Sequence, residues 1–373
     1  MKLAKIFYVV LAALAVTACS KDSDPDYDEG SKVTIPDGER IFVLNQGIWG
    51  MNNTCITLFS PKTSTTIDNL FYKQNGVMMG DNAQDMIVHD HSIYVSMNGS
   101  NYIMRLNEAG VEQARISFVD DADLHGGVRY IEAEGHSIYA TFYGGWLVRL
   151  NDKTLAIEAK LKTSGANLEG ILIEDGKIYV ADSYGIVTDP TTQATNYVYN
   201  ENLIVVDLKT FREEKTIKVA PNPNLLAEED GKIFLISWGN YADKGNDFQI
   251  VDPRTGKVTS IAEAKDMAVG NGKVYLLKTY TDWTSYTTTN TWMSYDIRTG
   301  KLNTESFLKN APDVLASTNI SLMDVDDETG DIYIGVTYYS AANGDIYRFD
   351  RNGNFIEQFD AGGQNPFKAI SVD

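Results

Sequence analysis

One phrase recurs seven times along this chain: a small polar turn followed by Ile-Tyr or a close variant. It stands at Arg40-Ile41-Phe42, Ser92-Ile93-Tyr94, Ser137-Ile138-Tyr139, Lys177-Ile178-Tyr179, Lys232-Ile233-Phe234, Lys273-Val274-Tyr275 and Asp331-Ile332-Tyr333. The aromatic residues are spaced 52, 45, 40, 55, 41 and 58 apart. Such a period marks one supersecondary unit repeated with insertions. Within a unit, short runs of partly alternating apolar residues are punctuated by Asn, Asp and Gly, as at 83–88, 92–97, 102–106 and 111–118. That is the pattern of four antiparallel strands. Strand-only units cannot bury both faces alone, so they must close radially or stack. The expected fold is therefore all-β, a seven-bladed β-propeller with four antiparallel strands per blade.

The chain ends support closure. The first unit begins at its second strand, Arg40-Ile41-Phe42-Val43-Leu44, with no inner strand before it. Phe367-Lys368-Ala369-Ile370-Ser371-Val372 has no partner strands after it. The two deficits cancel if the C-terminal strand completes the first blade, which removes both exposed edges. Inner strands are then expected at 83–88, 127–133, 167–173, 223–228, 265–269, 319–325 and 367–372. A stacked solenoid would need capping units, and none is visible. The recurrent third turns, such as Asn151-Asp152-Lys153-Thr154 and Asp252-Pro253-Arg254-Thr255-Gly256, read as structural turns, because Asp and Asn bond nearby backbone and Gly accepts positive φ.

Residues 1–18 lie outside the repeat. Lys2 and Lys5 precede an apolar run, Ile6 to Val16, that ends in Val16-Thr17-Ala18-Cys19. This is a signal peptide whose last four residues resemble a lipobox, with Cys19 the expected lipidation site. Residues 19–35 begin with an acidic stretch nearly free of apolar side chains and are expected to be a disordered tether; residues 36–373 form the propeller. Acidic residues directly after the lipidated Cys resemble the surface-export signal of Bacteroidetes lipoproteins. The expected location is the outer membrane, lipid-anchored and surface-exposed. If Cys19 carries lipid, Cys55 has no disulfide partner and reads as a small buried hydrophobe. Losing Lys2 and Lys5 takes the formal charge from −19 to about −21, a surface that disfavours nucleic acid and anionic membrane. Membrane contact is expected through the lipid alone.

In a propeller one face carries the first-to-second and third-to-fourth turns, which are short here. The other carries the second-to-third connections, which differ in every blade, and the links between blades. Variable loops on a regular scaffold are where binding resides. The tryptophans, many tyrosines and several amides fall on that second face. Rings that stack and amides that orient suit a small polar organic ligand. The candidate ligand-binding residues are Trp49, Trp146, Trp238, Trp283 and Tyr241, with Gln46, Asn53 and Asn101 orienting polar groups. The link Asp120-Asp121-Ala122-Asp123-Leu124-His125-Gly126 gathers three carboxylates and an imidazole, but its spacing fits no known metal loop, so a solvated acidic loop is expected. No phosphate loop, paired-Cys metal site or nucleophile elbow is present. Neither a cofactor, a metal nor a catalytic set is expected.

Phe42-Val43-Leu44-Asn45-Gln46-Gly47-Ile48-Trp49-Gly50, Gly80-Asp81-Asn82-Ala83-Gln84-Asp85-Met86 and Tyr94-Val95-Ser96-Met97-Asn98-Gly99-Ser100-Asn101 resemble the YncE-like β-propeller lipoproteins of Bacteroidetes. The resemblance spans nearly all of the mature chain. One branch of that family captures cobalamin at the cell surface and passes it to a TonB-dependent transporter. The resemblance therefore implies a monomeric propeller that takes a small organic ligand, a corrinoid among the candidates, with an outer-membrane TonB-dependent transporter as partner. The insertions Asp182 to Asn202 and Tyr280 to Trp292 set this chain apart from that branch. The alternatives are a protein-interaction scaffold at the cell surface and a propeller hydrolase or lactonase, whose metal and acid–base residues have no counterpart here.

Overall fold

The computed structural model describes residues 29–372. It contains seven four-stranded antiparallel sheets. Arg40–Asn45 pairs with Cys55–Ser60 on one side and with Pro366–Val372 on the other, matching Phe42 to Ile370 and Val43 to Ala369. The C-terminal strand thus completes the first blade, as its sequence required. The remaining inner strands are Ala83–His89, Val128–Glu134, Asn167–Glu174, Pro223–Glu229, Asp266–Gly270 and Ile320–Val325. Blades are numbered one to seven from the one closed by the C-terminus.

The repeated phrase is the second strand of each blade, and its aromatic residue explains why it repeats. Phe42, Tyr94, Tyr139, Tyr179, Phe234, Tyr275 and Tyr333 are each at most 4% exposed. Each ring packs into the interface with the following blade: Phe42 joins Ile93 and Val95, Tyr94 joins Ile138 and Ala140, and Tyr333 joins Ile41 and Val43 of blade one. Side chains alternate across a strand, so the aliphatic residues flanking each aromatic face the preceding blade. One three-residue phrase therefore supplies both sides of the wedge between blades. Truncating one such fully buried aromatic to Ala costs roughly 3–5 kcal/mol, so each wedge contributes substantially to stability.

The third turns are structural. Asn151 Oδ1 accepts from the Thr154 N–H and hydroxyl, Asp252 Oδ1 from the Arg254 and Thr255 N–H groups, and Asp350 Oδ1 from the Asn352 and Asn354 N–H groups.

Two regions differ in detail from the sequence reading. The expected long loops of blades four and six are strand extensions. Lys177–Thr188 pairs with Thr195–Asp207, and the ladder continues through Tyr184–Tyr199, Ile186–Tyr197 and Val187–Asn196. Lys273–Asp282 pairs with Thr287–Asp296 out to Asp282–Thr287. These segments are rich in Tyr, Val, Ile and Thr, which favour the pleated backbone. Second, within the expected tether residues 29–35 lie against the propeller. Asn107 Nδ2 donates to the Glu29 carbonyl, Gln74 Oε1 accepts from the Lys32 N–H, and Ile35 packs on the core between blades one and two. Asn107 opens a third-to-fourth turn, so the chain enters on the face with short turns. The lipidation site at Cys19 lies outside the described residues.

Candidate functional site

The face with variable connections is the aromatic one. Trp49, Tyr241, Trp283, Tyr286 and Tyr339, all in second-to-third connections, are 58–81% exposed. The eight candidate residues divide there into four groups, the last of them the three amides. Trp238 and Tyr241 line a cleft shared by blades three, four and five. Trp49 and Trp283 stand exposed elsewhere on this face, Trp283 at the tip of the blade-six arm. Trp146 is half-buried against the core between blades two and three, with Lys160 Nζ 5.7 Å from its ring centre.

The three amides hold loops. Gln46 Nε2 donates to the Ala83 carbonyl; Asn53 Oδ1 accepts from Ile48 N–H while its Nδ2 donates to Gln364 Oε1. Asn101, buried, donates to the Leu124 carbonyl and accepts from the Val128 N–H, bridging blades two and three. The acidic link is likewise engaged: Lys160 Nζ lies 3.2 Å from Asp121 Oδ1 and 2.6 Å from Asp123 Oδ2, and the His125 ring meets the Ala122 carbonyl. Among the described residues no group of three or more His, Cys, Asp or Glu is arranged to hold a metal. Cys55 is buried, and burial pushes its thiol up to about 11, which leaves it protonated.

The cleft encloses about 220 Å³. Its floor comes from the mouth ends of three inner strands, each with a register irregularity: between Val128 and Ile131, Leu168 and Ile171, and Pro223 and Leu225. Bulges of this kind re-aim side chains near sites. Here the residues concerned are Arg129, Glu169 and Asn224. Arg129 Nε donates to Glu169 Oε2 at 2.8 Å, and the Tyr143 hydroxyl donates to Oε1 at 2.6 Å. The guanidinium also lies 4.7 Å from the Tyr143 ring centre. Burial opposes the charge of Arg129, but Glu169 and Tyr143 outweigh it and its pKa is raised. Burial, reinforced by Glu169, pushes the Tyr143 phenol up as well. Tyr143 is thus a neutral donor and Arg129 a fixed cation at physiological pH.

The walls are tyrosines. Tyr184 meets Tyr143 at 75° with ring centres 5.8 Å apart, and Tyr197 at 59° and 5.7 Å. Tyr199 meets Tyr241 at 61° and 5.5 Å. Tyr184, Tyr197 and Tyr199 sit on the arm of blade four. Trp238 offers its ring, since its indole N–H is held by the Lys265 carbonyl at 3.0 Å. Asn224 is 2% exposed and its Oδ1 has no hydrogen-bond partner. An unmatched buried acceptor costs roughly 1–3 kcal/mol, so the cleft holds an unmet demand for a donor.

The larger central channel, about 1420 Å³, is lined by the inner strands. Asp85, Glu132, Asp266, Asp324 and Lys368 face it. These charges have a structural account. An innermost strand has one unpaired edge, and the carboxylates accept its N–H groups: Asp85 from Met86 and Ile131, Asp324 from Ala369, Glu132 from Ala133 and Asp266 from Met267. Lys368 Nζ donates to Asp324 Oδ1 at 2.9 Å. The tyrosine cleft, in contrast, leaves donor and acceptor groups open.

No protein-family profile matches the chain, and no curated protein matches it. Solved structures share its fold. The computationally designed Ika8 protein has a TM-score of 0.53 at 10% identity, covering 88% of this chain and 90% of that one. The RRP9 WD40 repeats give 0.51 at 9% identity, covering 77% and 80%. Apo AztD from Citrobacter koseri gives 0.50 at 10% identity, covering 90% and 98%. At these identities the likeness extends to the propeller alone.

Proposed function

We propose that this chain is a lipid-anchored, surface-exposed lipoprotein that captures a small organic ligand in the tyrosine cleft for delivery to an outer-membrane TonB-dependent transporter. The observation that carries the binding role is the cleft itself. Five tyrosines and a tryptophan surround a charge-neutral Arg129–Glu169 pair and the unpartnered amide oxygen of Asn224. Rigid apolar walls with a few convergent polar groups are the general form of a small-molecule site. The anchor and the transporter rest on the sequence of residues 1–31 and on the family resemblance. The entry of residues 29–35 on the opposite face supports a geometry in which the cleft points away from the anchor.

Size bears on the ligand. Sites for drug-sized molecules run roughly 300–1,000 Å³, so a cleft of about 220 Å³ suits a smaller molecule or one group of a larger one. A corrinoid would have to lie across the face, resting on exposed rings beyond the cleft.

The test is calorimetry of the purified protein against corrinoids, haem, siderophores, glycans and small zwitterions, with mass analysis of the recovered compound. Saturable binding without turnover is expected, weakened at least tenfold by Tyr241→Ala at unchanged melting temperature and by Trp238→Ala, which also lowers the melting temperature because it removes the ring from the core and the bond to the Lys265 carbonyl. Product formation would establish an enzyme instead, and an affinity indifferent to both substitutions would remove the cleft as the site. Cys19→Ala is expected to release the protein from membranes, and protection from protease on intact cells would place it in the periplasm.

A further inference from the structure

We infer that the ligand captured in the cleft is a compact ammonium zwitterion, with its substituted ammonium head among the tyrosines and its carboxylate on Arg129. This rests on the capture reading above and assigns its chemical class. Three features of the cleft point the same way.

The first is wall geometry. A flat sugar or macrocycle stacks on one open ring face. Here the rings meet in corners, at 59–75° with centres 5.5–5.8 Å apart. Corners of this kind enclose a rounded group. Aromatic faces carry negative potential, so the rounded group they favour is cationic, the arrangement that recognises methylated ammonium. The second is the Asn224 amide. Its Oδ1 is buried, unpartnered and at the negative end of a dipole, and it belongs to the lining of the same cleft. It complements a positive head and would accept from any N–H that head bears.

The third is Arg129. Its Nε is committed to Glu169 and one face of its guanidinium to Tyr143. The terminal nitrogens have no hydrogen-bond partner among the described residues, and a planar guanidinium presents them as a pair suited to a carboxylate. Glu169 neutralises Arg129, so the cleft carries no net charge, and a zwitterion matches it where a simple cation or anion would not. The strongly acidic surface of the protein adds a field that draws the cationic end inward.

The experiment compares glycine betaine with its carbon isostere tert-butylacetate, which has the same shape and carboxylate but no ammonium charge. Dimethylglycine and choline complete the set, and binding to the purified full chain is followed by calorimetry and by tryptophan fluorescence. Betaine or dimethylglycine is expected to bind saturably, with tert-butylacetate and choline each at least tenfold weaker. Tyr199→Leu is expected to cost at least tenfold in affinity with unchanged melting, while Tyr286→Leu, on the same face but outside the cleft, leaves affinity unaltered. Equal binding of betaine and tert-butylacetate would overturn the ammonium assignment and leave ligand capture standing. Choline binding as tightly as betaine would overturn the role of Arg129. If the folded protein binds neither betaine nor dimethylglycine at millimolar concentration, the zwitterion class is refuted; binding of a corrinoid or glycan in the wider panel would then still uphold capture, and an empty panel would refute both.

Discussion

Replacing Glu132 by Gln should stabilise this propeller in alkaline solution and do nothing in acid. Glu132 lies on the inner strand of blade three and lines the channel. Burial pushes its carboxyl up to about 7 from an ordinary 4.5; the Ala133 N–H opposes the shift, Asp85 adds to it and Lys368 opposes it. In the unfolded chain the group titrates near its ordinary value. Between the two values the folded state therefore holds the extra proton, so the stability linked to this group is fully present below about 4.5 and is lost as pH rises through about 7. At about 1.4 kcal/mol per unit the full shift corresponds to about 3 kcal/mol, and water in the channel reduces this to about 1–3 kcal/mol. Glu132→Gln keeps the oxygen that accepts from Ala133 and removes the charge. Urea unfolding of both proteins at about pH 8 should show the variant more stable by that amount, and at about pH 4 the two should agree within about 0.5 kcal/mol. A gap that does not change with pH, or a wild type more stable in alkali, would refute the argument that this carboxylate is buried at a cost.

Asp266→Asn should behave in the same direction over a lower window, because burial raises that carboxyl from 3.8 to about 6; the same urea series measures it. Phe42→Ala should cost about 3–5 kcal/mol by denaturant midpoint, since Phe42 is fully buried in the wedge between the closing blade and blade two. Asn101→Ala should cost about 1–3 kcal/mol through the unpaired Leu124 carbonyl and Val128 N–H, while leaving the ligand affinity of the folded protein unchanged by calorimetry.

The frame was legible in the sequence because a radial repeat writes its packing rule seven times. The residues at Phe42, Tyr94 and their five counterparts could be found without knowing that each faces the next blade. The site was less legible. Trp238 and Tyr241 carried a compositional signal that led to the cleft, and the same signal led to Trp146, which packs against the core, and to Asn53 and Asn101, whose amides are spent on holding neighbouring loops together. Ring count and loop position do not report which polar atoms are already satisfied. The blade-four arm stood in the sequence only as an insertion, Asp182 to Asn202, although its Tyr, Ile and Val residues fit a continued ladder, and that ladder is what sets Tyr184, Tyr197 and Tyr199 together.

Arg129 and Glu169 escaped the sequence reading for a different reason: each looks like an ordinary polar residue of an inner strand. Aligning the inner strands on Ala83, Val128, Leu168, Pro223, Ala264, Ile320 and Pro366 exposes a signal. The following position holds Gln84, Arg129, Glu169, Asn224, Lys265, Ser321 and Phe367, polar in all but the last. Several of these reach to the next blade: Lys265 Nζ to the Ile320 carbonyl at 3.2 Å, the Ser321 hydroxyl to the Pro366 carbonyl at 2.7 Å, and Arg129 to the carboxylate of Glu169. At three of these seven mouth positions the side chain is therefore bonded across the seam to the next blade. Between blades three and four the seam is built from opposite charges, so it stays neutral while leaving donors on Arg129 uncommitted. At Asn224 in blade five the seam is unmade. Polar groups that a propeller mouth has not spent on closure remain open to a ligand, and these adjoining blades, with the arm of blade four standing over them, leave Arg129 and Asn224 so placed.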